Sequence, residues 1–265
     1  MEKIVYYSKG MEFFGKRIEQ VYGYKRYNKD TDAVKTVFFQ SLYFDEDFET
    51  LAHHKGICKV FWNGSDVLRM LNVPKWRQII IDTPAIHMCH NKQLKDELWT
   101  IGIDAEVKPL FFGDVSSYQP SFVPSDIKHV YAVSHYGRNA EYGIDQICRI
   151  ADKVENVMFE IYGVEGEDTG NVHYHGQVSE LVMDNEIRNF HGCLRLNKHD
   201  GFSQTVMKSI LMAQYPICAK EIDGVWYAQT DEEIIKCLEL LKRQTEPNLA
   251  LRQRYLDVFT EAVRF

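Results

Sequence analysis

The chain has 265 residues, of which 45% are hydrophobic and 26% charged, and its formal net charge is −7. That length supports one large or two small domains with real cores. The acidic balance argues against a basic surface built for nucleic acid, though it leaves room for a local basic groove.

Ile4 to Tyr7 reads as a buried strand, and Ser8-Lys9-Gly10 as the turn after it. Residues 11–21 follow as a helix with Phe14, Ile18 and Val21 on one face. Residues 22–27 alternate as a second strand, and 34–43 form a third that ends in Asp45-Glu46-Asp47, just before a helix over 48–53. Residues 57–62 form a strand closed by Asn63-Gly64-Ser65-Asp66, which opens a helix over 67–71. A strand at 78–81, a short strand near Ile86, a helix over 92–101 and a strand at 105–110 complete this half. Gly, Pro and Ser then cluster across 112–126, the composition of a linker.

The alternation restarts with a strand at 130–134, a polar loop at 135–143 and a helix over 144–154. Strands at 157–162 and 172–175 end in Gly163 and Gly176, and a short helix at 186–191 leads to an apolar run ending at Leu196. After the polar turn 197–201, Phe202, Val206, Ile210 and Ala213 recur at helical spacing, with Ser203 as N-cap and Pro216 as the stop. A strand at 217–220, a hairpin at Asp223-Gly224, and helices over 232–243 and 248–263 finish the chain. Strands alternating with helices predict an α/β protein with parallel sheets and ligands at the carboxyl ends of the strands. The predicted halves are 1–122, completed by the last helix in 247–265, and 123–246.

Cys58, Cys89, Cys148, Cys193, Cys218 and Cys237 are scattered, lack a C-x-x-C pair and mostly lie in apolar runs. Buried thiols in a reducing compartment are expected, hence a cytoplasmic protein. Lys3-Ile4-Val5-Tyr6-Tyr7 is too short for a signal peptide core, and no apolar run approaches the roughly 20 residues of a membrane span.

The stretch Leu194 to Cys218 concentrates the chemistry. Strand, tight turn and helix direct unpaired N–H groups and the positive end of the helix dipole at whatever lies above the strand ends, a natural anion site. Asp200 can accept hydrogen bonds from sugar hydroxyls, while the N–H groups of Gly201, Phe202, Ser203 and Gln204 face phosphate or sugar oxygens; the plain alternative is a capped turn. Lys208, one turn after Gln204, can neutralise a diphosphate or pair with Asp200; otherwise it is a solvated surface lysine. Arg138 follows Gly137 in the polar loop. In the first half, the N–H groups of Ser8, Lys9 and Gly10, with Asn63, Ser65, Asp66 and His87, make the candidate acceptor side, although capping alone explains Ser65 and Asp66. His87-x-Cys89-His90 has too short a spacing for zinc and no matching ligand pair elsewhere. No metal is therefore expected.

The same stretch resembles the donor segment of GT-B glycosyltransferases, especially the retaining, sugar-nucleotide-using group similar to glycogen and sucrose synthases. Asp200-Gly201-Phe202 matches that family's Glu-Gly-Phe opening, and Ala213-x-x-Pro216-Ile217 its small-residue, x-x-Pro-apolar close. Lys208 stands where the family has a second Glu that holds the ribose. Gly137-Arg138 matches a Gly-Arg whose arginine, with a following lysine, grips the donor diphosphate. Here the lysine position is Tyr142, in a loop one residue shorter, and Lys208 is expected to supply that cation. Gly176-Gln177-Val178 resembles the loop that holds the nucleotide base through backbone groups.

The resemblance implies two Rossmann-like halves facing a cleft, with the C-terminal helix crossing back to the first half. It implies transfer of a sugar from a nucleotide-diphosphate donor, a UDP-sugar, to a hydroxyl acceptor, with retention, without metal, and with the nucleotide-sugar as co-substrate rather than a cofactor. Three alternatives stay open. A catalytically inactive subunit that binds nucleotide-sugar would fit the loss of the second Glu and the loop lysine. An epimerase or a phosphorylase could use the same fold. Asp45-Glu46-Asp47 suggests the metal-dependent GT-A fold instead, unless those acids are ordinary first-turn residues.

Overall fold

Within Val37–Gln40, Cys58–Trp62 and Ala85–Cys89, the runs Val37-Phe38-Phe39, Val60-Phe61-Trp62 and Met88-Cys89 are apolar and buried on successive residues rather than alternate ones. Strands of that kind need helices on both faces, which is the condition of a parallel sheet. The computed structural model describes residues 2–135 and 137–261 and contains two such sheets. The chain divides into one unit of Met1–Asp114, His199–Phe202 and Phe259–Phe265, and another of Val115–Lys198 and Ser203–Val258.

The first unit runs β1 (Ile4–Tyr7), α1 (Glu12–Tyr22), β2 (Lys25–Arg26), α2 (Lys29–Asp32), β3 (Val37–Gln40), α3 (Asp45–His53), β4 (Cys58–Trp62), α4 (Ser65–Asn72), α5 (Pro74–Asp82), β5 (Ala85–Cys89), α6 (Lys92–Trp99) and β6 (Ala105–Val107). Its strands pair in parallel in the order β2-β1-β3-β4-β5-β6. Alternating side chains divide between two cores. Val37, Phe39, Val60 and Trp62 pack with residues of α3 to α6, while Val5, Tyr7, Phe38 and Phe61 pack with Ile18 of α1 and with Phe112.

The second unit runs β7 (Lys128–Val133), α7 (Asn139–Tyr142), α8 (Ile144–Ala151), β8 (Val157–Tyr162), β9 (Val172–Gly176), α9 (Glu180–Glu186), β10 (Gly192–Arg195), α10 (Gln204–Leu211), β11 (Ile217–Cys218), β12 (Trp226–Tyr227), α11 (Asp231–Lys242) and α12 (Leu249–Glu261). The sheet order is β12-β11-β10-β7-β8-β9, again all parallel. Ile144, Ile147 and Ile150 of α8 and Ile234, Leu238 and Leu241 of α11 cover one face. The expected last helix is α12, of which residues 262 and 263 lie outside the described residues. Its final described residues, from Phe259, group with the first unit, where Phe259 packs on Phe111 and Phe202.

Several elements differ from the sequence expectation. Residues 78–81 are helical: Pro74 opens α5 at a position where no N–H is needed, and Trp76 stacks on Phe48 at 4.7 Å. Three consecutive isoleucines imitate a strand, yet Ile80 is buried while Ile81 is 48% exposed. The expected hairpin at Asp223-Gly224 is a turn within a crossover, because Ile217 and Trp226 pair in parallel. The helix expected at 186–191 begins earlier, with Ser179 capping Val182 N at 3.3 Å, and exposed Leu181 and Val182 mask its polar face. The expected linker is pinned onto the second unit from Val115 onward: Ser121 N donates to Met212 O at 3.3 Å, and Phe122 packs edge-on against His191 and Tyr215.

The helical register of α5 is testable. Ile80→Ala is expected to cost about 2–4 kcal/mol in urea unfolding and Ile81→Ala less than about 0.5 kcal/mol. Equal losses would contradict the helix.

Candidate functional site

In the second unit the candidate groups lie at or just beyond the carboxyl ends of β7, β9 and β10. Gly137 has φ +74, a left-handed turn that glycine adopts without penalty. Arg138 follows it and holds Glu141, with Nε donating at 2.7 Å and Nη2 bonding the other carboxylate oxygen, while the guanidinium lies 5.1 Å from the Tyr142 ring centre. Both partners of this pair are close to half exposed, so it contributes about 0–1 kcal/mol and exchanges readily for another anion. Gly176 ends β9 with φ +64, its carbonyl accepting from Gly163 N at 2.8 Å, and exposed Gln177 and half-buried Val178 follow. Ser203 caps α10 through Thr205 N at 3.3 Å, and Gln204 Nε2 reaches Met207 Sδ at 3.4 Å.

Lys208 departs from its expected role. It is buried, and Nζ donates to Glu180 at 2.6 Å and to Asp184 at 2.7 Å, both on α9. Tyr118 OH donates to the same Asp184 at 2.6 Å. An ammonium enclosed by two carboxylates is already more than neutralised, and pulling it away would leave buried unpaired charge costing several kcal/mol. Lys208 is therefore neither a solvated surface lysine nor a cation kept for a diphosphate; it ties α10 to α9.

Asp200-Gly201-Phe202 groups with the first unit. Asn91 Nδ2 donates to the carbonyls of Asp200 and Gly201, both at 3.0 Å, and Asp200 Oδ1 accepts from Gly201 N at 2.9 Å. A Cβ on Gly201 would overlap the carbonyl of Asn63, and one on Gly64 would come within 2.9 Å of Gly201 N. Only glycine fits so close a backbone approach. Phe202 is buried against Phe259 at 5.7 Å.

The expected acceptor set separates. Asp66 is wholly buried and accepts from the backbone N–H groups of Asn63, Gly64 and Val67, so it builds the turn and faces no ligand. Burial pushes its carboxyl upward against those donors. Ser65 meets Tyr43 OH at 3.2 Å. Asn63 bonds Ser41 Oγ through its amide nitrogen and accepts from His90 Nε2 at 3.0 Å. His87 lies within β5, accepts from Trp62 Nε1 at 3.2 Å and stacks on that ring, a core position. Lys9 is exposed and 3.6 Å from Glu46. A Cβ on Gly10 would make only ordinary contacts with Tyr43 and Phe44, so close packing does not require a glycine there. Ser8 is completely buried with an unpartnered hydroxyl. Sequence reasoning missed Asn91, whose side-chain amide holds the Asp200-Gly201 turn.

Asp45-Glu46-Asp47 forms the first turn of α3. Asp47 accepts from Tyr43 N, Phe44 N and Tyr6 OH, and Asp45 from Trp76 Nε1, so two of the three acids hold structure. Among the described residues no group of three or more His, Cys, Asp or Glu is arranged to hold a metal ion, and no helix is long and apolar enough to cross a membrane.

Neither a family model nor a curated protein matches the sequence. Solved structures do match in fold. The pneumococcal O-GlcNAc transferase GtfA, in complex with UDP and GlcNAc, aligns over 86% of this chain and 55% of its own with TM-score 0.55 and 11% identity. S. aureus TarM, in complex with UDP, aligns over 95% and 57% with TM-score 0.61 and 12% identity. The α,α-trehalose 6-phosphate synthase of Burkholderia multivorans aligns over 88% and 67% with TM-score 0.60 and 9% identity. The chain thus spans little more than half the length of GtfA and TarM. Two parallel six-stranded α/β units with this similarity define the fold as that of the GT-B glycosyltransferases.

Three buried histidines set a pH limit on this fold. Burial pushes His87 and His191 down to about 4 and His90 to about 3, the last despite the nearby Asp200 carboxylate. Each is neutral when folded and gains a proton more readily when unfolded. Stability is therefore fully present above the unfolded value near 6.5 and is lost as pH falls toward the folded values. The urea midpoint is expected to be level between about pH 7 and 8 and to fall between about 6.5 and 5, where most carboxylates stay ionised. A midpoint level down to pH 5 would contradict neutral burial.

Proposed function

We propose that the chain is a glycosyltransferase that binds a uridine diphosphate sugar in its second unit and transfers the sugar, with retention and without a metal, to a hydroxyl acceptor held by the first. The observation that carries this reading is the GT-B fold together with Arg138 at a loop just beyond a strand end, where its guanidinium is exposed and pairs with Glu141. GtfA and TarM, structures with the same fold, hold UDP.

In the proposed reaction the bond from the sugar's anomeric carbon to the diphosphate oxygen breaks. A bond to the acceptor oxygen forms, and the acceptor's proton leaves with the diphosphate. Arg138 and the N–H groups at the start of α10 stabilise the charge developing on that leaving group. Gly176, Gln177 and Val178 flank the base. Lys208 positions α10 and carries no diphosphate charge in this scheme.

One observation favours a second reading. Lys208 is tied to Glu180 and Asp184, and Arg138 to Glu141, so a nucleotide-sugar-binding subunit without turnover also suits the charges.

Thermal denaturation tests the donor site. UDP at 100-fold its Kd is expected to stabilise by about 2.7 kcal/mol, a shift of about 5–10 °C for a chain of this size. The shift should be unchanged by EDTA, and Arg138→Ala should weaken UDP binding about tenfold or more. No shift with UDP, GDP or ADP would remove the donor reading.

A further inference from the structure

Tyr142 carries two arginines on one ring. The Arg138 guanidinium lies 5.1 Å from the ring centre, and that of Arg195 lies 4.6 Å from it. Arg138 and Tyr142 belong to the segment that leaves the carboxyl end of β7. Arg195 is the last residue of β10, the strand beside β7 in the sheet. The backbone fixes this meeting. Gly143, next to Tyr142, has φ +74, and a Cβ there would come within 2.6 Å of the Cβ of Leu196, next to Arg195. Only glycine lets the two segments approach so closely. Tyr142 also packs against the core that contains Leu196, which makes its ring a partly buried platform at the strand ends.

A guanidinium that stacks on an aromatic ring uses its flat face and keeps the N–H donors in its plane for a further partner. Two guanidiniums on one ring are within reach of a single diphosphate. Arg195 is half-buried where Arg138 is exposed, so water screens its charge less and it attracts an anion more strongly. Two like charges held this close repel, a cost that a polyanion bound by both offsets. Lys208 is committed to Glu180 and Asp184 and takes no part.

We propose that Arg195 is a second diphosphate-binding residue of the donor site. Tyr142 is then a positioning residue, whose ring holds Arg195 and Arg138 as a pair for the two phosphates of a nucleoside diphosphate. This assignment rests on reading the second unit as the donor side. As the bond to the anomeric carbon breaks, the departing diphosphate oxygen gains negative charge. The two guanidiniums donate hydrogen bonds to that diphosphate and stabilise it as it leaves.

The test is isothermal titration calorimetry of the full chain with UDP. Arg195→Gln is expected to weaken UDP binding about tenfold or more, the loss of a charge-assisted contact. It should also flatten the fall of affinity between about 50 and 300 mM NaCl, because one screened attraction is gone. A purely structural role would lower the affinity without changing that salt dependence. Tyr142→Leu should weaken UDP binding about threefold or more, and Tyr142→Phe, which keeps the ring, should recover most of that loss. Arg195→Lys keeps the charge without the planar fork and carries the test if Arg195→Gln fails to fold; its UDP affinity should fall about threefold or more. Undiminished UDP binding in either folded Arg195 variant or in Tyr142→Leu overturns the proposal while the donor reading stands. A salt dependence in Arg195→Gln identical to that of wild type overturns it too. Wild type that binds none of UDP, GDP or ADP overturns the donor reading and the proposal with it.

Discussion

The close approach of two backbones, Asn63-Gly64 and Asp200-Gly201, is the constraint on which the loops at the carboxyl end of the first unit's sheet depend. There is no room for a side chain on Gly201 against the Asn63 carbonyl, and Asn91 spends both amide hydrogens on the carbonyls of Asp200 and Gly201. Asp66 shapes the Asn63-Gly64 turn from below through three backbone N–H groups. His90, neutral because it is buried, fixes the Asn63 amide through Nε2 while Nδ1 accepts from Leu110 N. Each group in this chain orients the next, and the result is four residues, His199–Phe202, that are distant in sequence yet belong to the first unit.

A second consequence concerns charge. The segment that resembles a donor segment carries Lys208 where the resembling family has an acid, and the structure answers that reversal with two acids on α9. The reversal is compensated locally, and Tyr118 extends the network to the segment after Asp114. Arg138 differs in kind. It pairs with Glu141 three residues away, both side chains being close to half exposed, so solvent screens the pair and it contributes little to stability.

Most of the architecture was legible because parallel strands buried on both faces leave continuous apolar runs, and Gly or Asp-Gly at their ends marks the turns. The failures have physical causes. Ile79-Ile80-Ile81 has strand composition, but Pro74 and the Trp76–Phe48 stack select a helix. Pairing direction at Asp223-Gly224 is invisible to turn chemistry, since a glycine with φ +77 serves a crossover as well as a hairpin. The turn before α10 could be read from apolar spacing and Asp200-Gly201-Phe202 from its family resemblance, whereas the partners of Lys208 could not. Glu180 and Asp184 are a helix and a strand away in sequence, and nothing local points to them.

The central claim is that this fold turns over a nucleotide-sugar. Release of UDP by the purified chain from UDP-glucose and UDP-N-acetylglucosamine, in EDTA and with methyl glycosides or water as acceptor, tests it most directly. Steady UDP release that Arg138→Ala slows about tenfold or more is the expected result. UDP that binds yet is never released from either donor, under any of these conditions, would contradict it and leave a nucleotide-sugar-binding protein.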